Sequence, residues 1–422
     1  MLHTDTSLTD PVAVPVVIVP PAAIPQTVAP AERTGQGIEP PVSSLPPKPK
    51  CARYQSLDVW RGAACLMLVF YHCTFYGEYR FRLSDATSWT LGGLPLYLVR
   101  FLWVGVPIFF VISGYCIAAS VDSLRRRPHS TADYFIRRFR RIYPPLWIMC
   151  ALAVAFTIGI AAFPSISANC DQLPKLHELS FSQWLANILA AESWRHNVNG
   201  GKPTYLMANT WTLCYEEQFY FVTGLILAFA GRRFFQITGV LTAIVILLRF
   251  TLRMAGIGCE GFFWDGHWLM FAAGILVYHS LNYSHRALSW PALGVFSMGM
   301  AYGALERVSA DSHFDKHLGE YIFVASAFAI ALMALKRFDA TIAQHRALAP
   351  LRWCGQRSYS IYLTHFLIVT VVSSVLAKWG MTSEFIVATC VIPLCLVVAL
   401  PIASLFYHAF ERHFMNAPVT SH

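Results

Sequence analysis

From residue 57 onward the chain alternates apolar runs of about 20 residues with short polar, often basic, segments. A hydrocarbon core roughly 30 Å thick takes about 20 helical residues, so each such run reads as a membrane-spanning helix. About ten can be placed, near residues 57–77, 96–120, 142–163, 209–230, 234–254, 262–281, 287–305, 320–335, 358–378 and 385–410. Lipid offers the backbone no hydrogen-bond partners, so the pattern predicts an all-α, polytopic helical bundle. Residues 1–52 are rich in Pro, with Ala, Val, Thr and Ser, and show no periodic apolar face. They read as a disordered or polyproline-like cytoplasmic tail, without the unbroken apolar stretch of a secretory signal. Residues 53–415 form the transmembrane domain and 416–422 a short C-terminal tail.

Composition agrees. Mean hydropathy is +0.48, and charged residues make up 13% of the chain against about 25% in soluble domains. The positive charge is unevenly spread. With the N-terminus inside, the inner segments hold 20 Lys and Arg and the outer segments 9, while Arg61, Arg100 and Arg249 lie within spans. This asymmetry predicts an N-in, C-in topology. It also accounts for the net charge of +9, so no nucleic-acid partner is expected. The 11 cysteines show no metal-ligand spacing and no metal site is expected. Cys170 and Cys259 fall in outer loops, where an oxidising compartment would let them pair.

The candidate chemistry lies in the spans. Arg61 and His72 are eleven residues apart in the first, so on a helix they share one face and sit roughly 16 Å apart along the axis. Ionisable groups at membrane depth are costly and mark functional sites by default. Glu216 and Glu217, in the segment WTLCYEEQFY, begin the fourth span. Counting residues places Glu216 at the depth of His72, where a carboxylate would orient an imidazole. Hydrogen bonding of both acids to neighbouring Trp, Tyr and Thr groups is the alternative. Arg137, Arg138, Arg140 and Arg141 stand before Pro144–Pro145 at the expected start of the third span. Clustered guanidiniums bind phosphates, although membrane anchoring alone would give the same cluster. Gly105, Pro107, Ser113 and Gly114 suit close helix contact or an irregular cavity wall. His365, near mid-depth in the ninth span, reads as a core histidine satisfied by Ser or Tyr, or else as a site member. Asp265 and His267 carry less weight.

Together these segments resemble the acyltransferase-3 family, bacterial integral-membrane O-acyltransferases of surface carbohydrates. SLDVWRGAACLMLVFYHC is similar to the family's Arg-x10-His segment through Arg61 and His72. RRFRRIYPPLW resembles its Arg-x-x-Arg-Ile-Tyr-Pro motif through Arg138 and Arg141. NTWTLCYEEQFYF resembles its Glu-Glu motif through Trp211, Glu216, Phe219 and Tyr220. GVPIFFVISGY, SYSIYLTHFLI and PIASLFYHAFERHF follow in kind, with Pro107, Thr212 and His413 departing from the usual residues.

The resemblance implies transfer of an acyl group, most often acetyl, from cytoplasmic acyl-CoA to a hydroxyl of an extracytoplasmic carbohydrate such as an exopolysaccharide, O-antigen or lipid-linked glycan. The setting it implies is the bacterial cytoplasmic (inner) membrane, with membrane lipids, acyl-CoA and the glycan as partners and no permanently bound cofactor. His72 and Glu216 would be catalytic, with His72 deprotonating the acceptor or carrying the acyl group. Arg61, Arg138 and Arg141 would hold the donor's phosphates, and His365, Ser113, Trp211, Tyr220 and Glu217 would bind substrate. A transporter or flippase of a glycolipid is the rival class, since it too would place His and Glu in the membrane.

Overall fold

The computed structural model describes residues 54–75, 91, 93–126, 130–164, 170, 173–257, 260–283, 286–309 and 313–415. The Pro-rich tail, the C-terminal tail and Cys259 therefore lie outside the described residues. Each of the ten expected spans falls on a helix. In chain order these are α1 (Leu57–Phe75), α2 (Gly105–Leu124), α3 (Ser130–Ala161), α4 (Trp211–Ala230) and α5 (Phe234–Met254). There follow α6 (Trp268–Tyr283), α7 (Arg286–Ser309), α8 (His313–Leu335), α9 (Ser358–Lys378) and α10 (Ile392–Phe406). Among the described residues there is no strand.

Six stretches are long and apolar enough to cross a membrane. One of them, Ala208–Met254, is α4 and α5 joined through a tight turn at Gly231–Arg233. Three of the ten, α1, α6 and α7, fall outside that measure. Asp58, Arg61 and His72 lower the hydropathy of α1, and α6 has only 16 residues. The outer faces are apolar: Val240, Ile244 and Leu247 recur at helical spacing along α5 and are more than half exposed. Such a stripe would drive a soluble protein to aggregate and here meets lipid.

Close helix contact is set by glycine. A Cβ at Gly114 of α2 would collide with the Phe271 carbonyl, and one at Gly274 of α6 with the Val111 carbonyl. The two helices therefore cross backbone to backbone, the small-residue packing that lipid favours. Gly105 likewise lies against the Ala64 carbonyl of α1, as the sequence indicated for both Gly105 and Gly114. Helix α1 bridges two buried clusters. Leu57 and Leu68 join the larger one, built on α2, α4 and α6. Cys65, Val69 and Cys73 face α9 and α10. Its N-terminus is tied by Asp339, whose carboxylate accepts from the backbone N–H of Gln55 (2.9 Å) and Ser56 (2.8 Å). That anchor fixes the depth of Arg61.

One boundary differs from expectation in a way that matters for the site. Pro144 and Pro145 do not open the third span; they lie inside α3, which starts at Ser130. Each proline removes a backbone donor, and the helix nonetheless continues through both. The four arginines are thus part of a 32-residue helix rather than of a surface loop. Arg138 and Arg141, three residues apart, turn inward, while Arg137 and Arg140 are exposed. The segment between α3 and α4 folds back along α3. Its helix Phe181–Ile188 ends where Trp147 Nε1 donates to the Ile188 carbonyl at 3.0 Å.

Candidate functional site

A cavity opens between α1, α2, α3, α4 and the start of α9, and its polar lining includes Arg61, Ser113, Arg138, Arg141, Glu216 and Tyr220. Helical spacing brings each group inward. Arg138 and Arg141 are one turn apart on α3, and Glu216 and Tyr220 one turn apart on α4. Ser113 sits beside Gly114, at the crossing that draws α2 against α6. Apolar side chains such as Leu68, Phe109 and Ile142 close the remaining walls.

Within the cavity, Ser113 Oγ donates to Glu216 Oε1 at 2.7 Å. The Tyr220 hydroxyl donates to the same oxygen. Arg138 lies over the Tyr220 ring, with its guanidinium carbon 4.8 Å from the ring centre, a cation–π contact that leaves its N–H groups available for an anion. Arg61 is held by Asp58 Oδ1 at 2.8 Å and by Cys116 Sγ at 3.2 Å. Neither Arg138 nor Arg141 forms an ion pair with any of the described residues. Three guanidiniums against one carboxylate in a largely apolar cavity leave its lining with excess positive charge, suited to the phosphates of a ligand.

The histidines lie elsewhere. His72, one turn beyond Leu68 on α1, has its Nδ1 2.7 Å from Nε2 of His365. His365 Nδ1 in turn lies 2.8 Å from the Ile361 carbonyl. The partners expected from depth counting therefore change. Glu216 bonds to Ser113 and Tyr220 rather than to His72, and His365 meets His72 rather than a Ser or Tyr. Counting along the first and fourth spans gives depth alone and not which helix faces meet: Glu216 turns into the cavity with Arg138 and Arg141, whereas His72 turns toward His365 of α9.

Two further candidates point away from the cavity. Glu217, turned about 100° from Glu216, accepts from the Tyr143 hydroxyl at 3.1 Å, and its other oxygen is buried with no hydrogen-bond partner among the described residues. Trp211 packs edge-on against Tyr215 and His267. Asp265 and His267 form a buried latch: Asp265 accepts from His267 Nδ1 (2.7 Å), the Tyr215 hydroxyl (2.5 Å) and the Gly261 N–H (3.1 Å). Cys170 is buried, with Sγ 3.6 Å from Ser374 Oγ.

Several site residues escaped the sequence reading. Cys116, Tyr359 and Tyr362 line the cavity. Tyr359 donates to the Ile142 carbonyl at 2.8 Å, pinning α9 to α3 beside Arg141. Both tyrosines stood in the SYSIYLTHFLI segment, where only His365 was singled out. Glu411, 2% exposed, accepts from the Ser360 N–H at 3.0 Å and from the Ser360 hydroxyl, which fixes the start of α9.

An acyltransferase-domain family matches residues 54–408, and the chain belongs to it. Similar proteins include the peptidoglycan O-acetyltransferase OatA of Listeria monocytogenes, 24% identical over 76% of this chain and 50% of that protein. The putative peptidoglycan O-acetyltransferase YrhL of Bacillus subtilis is 23% identical over 84% of this chain and 54% of its own length. The O-acetyltransferase OatA of Staphylococcus aureus is 22% identical, covering 75% and 51%. The chain thus spans about half the length of these relatives. No solved structure matches it. Membership of an acyltransferase-domain family favours the enzyme class over the transporter class.

Proposed function

We propose that this acyltransferase moves an acyl group, acetyl in the first instance, from cytoplasmic acyl-CoA to a hydroxyl of a cell-surface carbohydrate such as peptidoglycan or another extracytoplasmic glycan. The observation that carries the donor assignment is the convergence of Arg61, Arg138 and Arg141 on one cavity, the latter two making no direct ion pair with any described residue. Under the N-in, C-in orientation favoured by the charge asymmetry, this chamber opens toward the cytoplasm. The guanidiniums hold the CoA phosphates by paired, charge-assisted hydrogen bonds. The flexible arm of the donor then runs outward along α1, across the roughly 16 Å that separates Arg61 from His72.

At the outer end, His72 performs the chemistry. In direct transfer its imidazole takes the proton of the acceptor hydroxyl while that oxygen bonds to the thioester carbon. Collapse of the tetrahedral intermediate breaks the C–S bond, and the leaving thiolate takes the proton back from the imidazole. In the covalent route the same lone pair attacks the thioester first, releasing CoA and giving an acyl-histidine that the acceptor hydroxyl then cleaves, with ping-pong kinetics as the signature. Glu216 belongs to the donor chamber, where its charge, shared by Ser113 and Tyr220, balances the arginines before the donor arrives. Peptidoglycan is favoured as acceptor by the names of two relatives.

The test is consumption of the donor. Inverted membrane vesicles containing the protein, supplied with radiolabelled acetyl-CoA, are expected to transfer label to glycan enclosed in the lumen. Vesicles that neither release CoA nor label glycan, with the protein present and correctly inserted, would remove this reading.

A further inference from the structure

We infer that His365 is a positioning residue that fixes the tautomer of His72 and so directs the reactive lone pair onto His72 Nε2. The inference deepens the proposed function and rests on His72 being the reacting group. It follows from a chain of three atoms whose hydrogen-bond roles are constrained from one end. A carbonyl oxygen only accepts. The Ile361 carbonyl, 2.8 Å from His365 Nδ1, therefore requires the hydrogen of His365 to be on Nδ1. A neutral imidazole protonated at Nδ1 has its lone pair at Nε2. His365 Nε2 lies 2.7 Å from His72 Nδ1, so the hydrogen between the two rings belongs to His72 Nδ1. The remaining nitrogen of His72, Nε2, then carries the lone pair that either route of acyl transfer uses.

The geometry supports an in-plane hydrogen bond. The two ring planes differ by 11°, with centroids 5.0 Å apart. That separation is the nitrogen–nitrogen distance plus one ring radius at each end, so the rings meet edge to edge. Rings stacked face to face would not bring two nitrogens to 2.7 Å in line with their bond directions. The support is rigid: His365 is 2% exposed, and its acceptor Ile361 lies one turn earlier on the same helix. This is the orienting role that an acid plays toward the histidine of a Ser–His–Asp triad, performed here by a neutral ring. A neutral partner orients without adding a second charge to the membrane interior, where an isolated carboxylate would be costly.

The test separates orientation from packing. Asn in place of His365 keeps a polar group near Nδ1 and removes the acceptor facing His72. Gln reaches further and returns an amide oxygen to the position of Nε2. In the proposal, His365→Asn lowers kcat by at least about tenfold, a part of what a general base contributes. Its KM for acetyl-CoA stays within about twofold, because the phosphate end is remote from the change, and His365→Gln recovers most of the loss. A packing role would make the two variants lose activity together. Solid-state 15N NMR of ring-labelled protein in lipid gives a readout independent of catalysis. The signals lost in His72→Ala identify His72, which should show a protonated Nδ1 and an unprotonated Nε2 in the otherwise unaltered chain. A proton found on His72 Nε2, or equal kcat losses for Asn and Gln, would overturn the assignment. Absence of any acyl transfer would instead defeat the functional reading and leave the NMR result to decide the tautomer.

Discussion

Arg138 sits over the ring of Tyr220, 4.8 Å from its centre, and the hydroxyl of that ring is bonded to Glu216. The cation and the acid thus hold opposite parts of one tyrosine without pairing with each other. The guanidinium keeps its directional N–H groups, and the carboxylate is satisfied by two hydroxyls, from Ser113 and Tyr220. A direct Arg138–Glu216 ion pair would occupy those N–H groups. With the tyrosine between them they stay available for the phosphates of the proposed donor.

Charge and shape can be separated at this chamber. Arg138→Lys and Arg141→Lys keep the positive charge, so insertion should be unchanged, but the planar fork that grips phosphate is lost. The expected cost is about 1–3 kcal/mol, that of a charge-assisted hydrogen bond, or roughly a 5- to 150-fold rise in KM for acetyl-CoA. Turnover at saturating donor should change less. Initial-rate measurements over a range of acetyl-CoA concentrations check this, and an unchanged KM in both variants would mean that these arginines do not hold the donor.

The two adjacent acids should behave differently. Glu216→Gln removes the one carboxylate among the described residues that line the cavity and leaves Ser113 and Tyr220 facing an amide that both donates and accepts. Glu217→Gln acts at Tyr143, outside the cavity. Activity should therefore fall further for Glu216→Gln, and its effect should appear in KM for the donor. Equal losses from the two substitutions would contradict the division of labour that their 100° separation on α4 imposes.

His72→Ala should abolish transfer while leaving the protein inserted, since Ala suits the helix and the bundle is held chiefly by other contacts. The readout is glycan labelling normalised to protein in the membrane. A well-inserted variant with near-normal turnover would take His72 out of the mechanism.

Much of this was legible in the sequence. Each of the ten apolar runs lies on a helix, while six stretches of the described residues are long and apolar enough to cross a membrane. Arg61, Arg138, Arg141, Ser113, Glu216 and Tyr220, all candidates from the sequence, meet at one cavity. What depth counting missed was which polar groups meet. It fixed the start of the third span at Pro144 because prolines usually begin or break helices; here the helix runs through them. Arg138 and Arg141 therefore belong to a continuous helix that borders the cavity rather than to a surface loop. The His72–His365 contact joins residues 293 apart in sequence, and periodicity carries no information about which helices become neighbours. Cys116, which accepts from Arg61, resembled any other small apolar residue of a span.

Orientation in the membrane admits a simple check. A reporter fused within 121–141 should be cytoplasmic and one within 164–208 extracytoplasmic, because the basic residues divide 20 to 9 in favour of the inner segments. The inverse pattern of reporter activity would place the arginine chamber on the wrong side for a cytoplasmic donor.

The backbone crossing of α2 and α6 predicts a sharp contrast between two glycines. At Gly274 any side chain meets the Val111 carbonyl and the Tyr115 backbone, neither of which is the movable end of a side chain. Gly274→Leu must push the helices apart, breaking the packing of Phe271 and displacing Ser113 next to the crossing. The expected penalty is at least the about 1–3 kcal/mol of an overpacked core, with loss of activity. Gly294 on α7 has nothing within 4 Å of the position a Cβ would take, so Gly294→Leu should leave stability within about 0.5 kcal/mol and activity intact. Thermal unfolding of the two purified variants in detergent, followed by acyl transfer after reconstitution, measures both effects. Similar unfolding midpoints for the two would show that the α2–α6 contact is looser than the backbone positions require, and Ser113 would then have to be held by something other than that crossing.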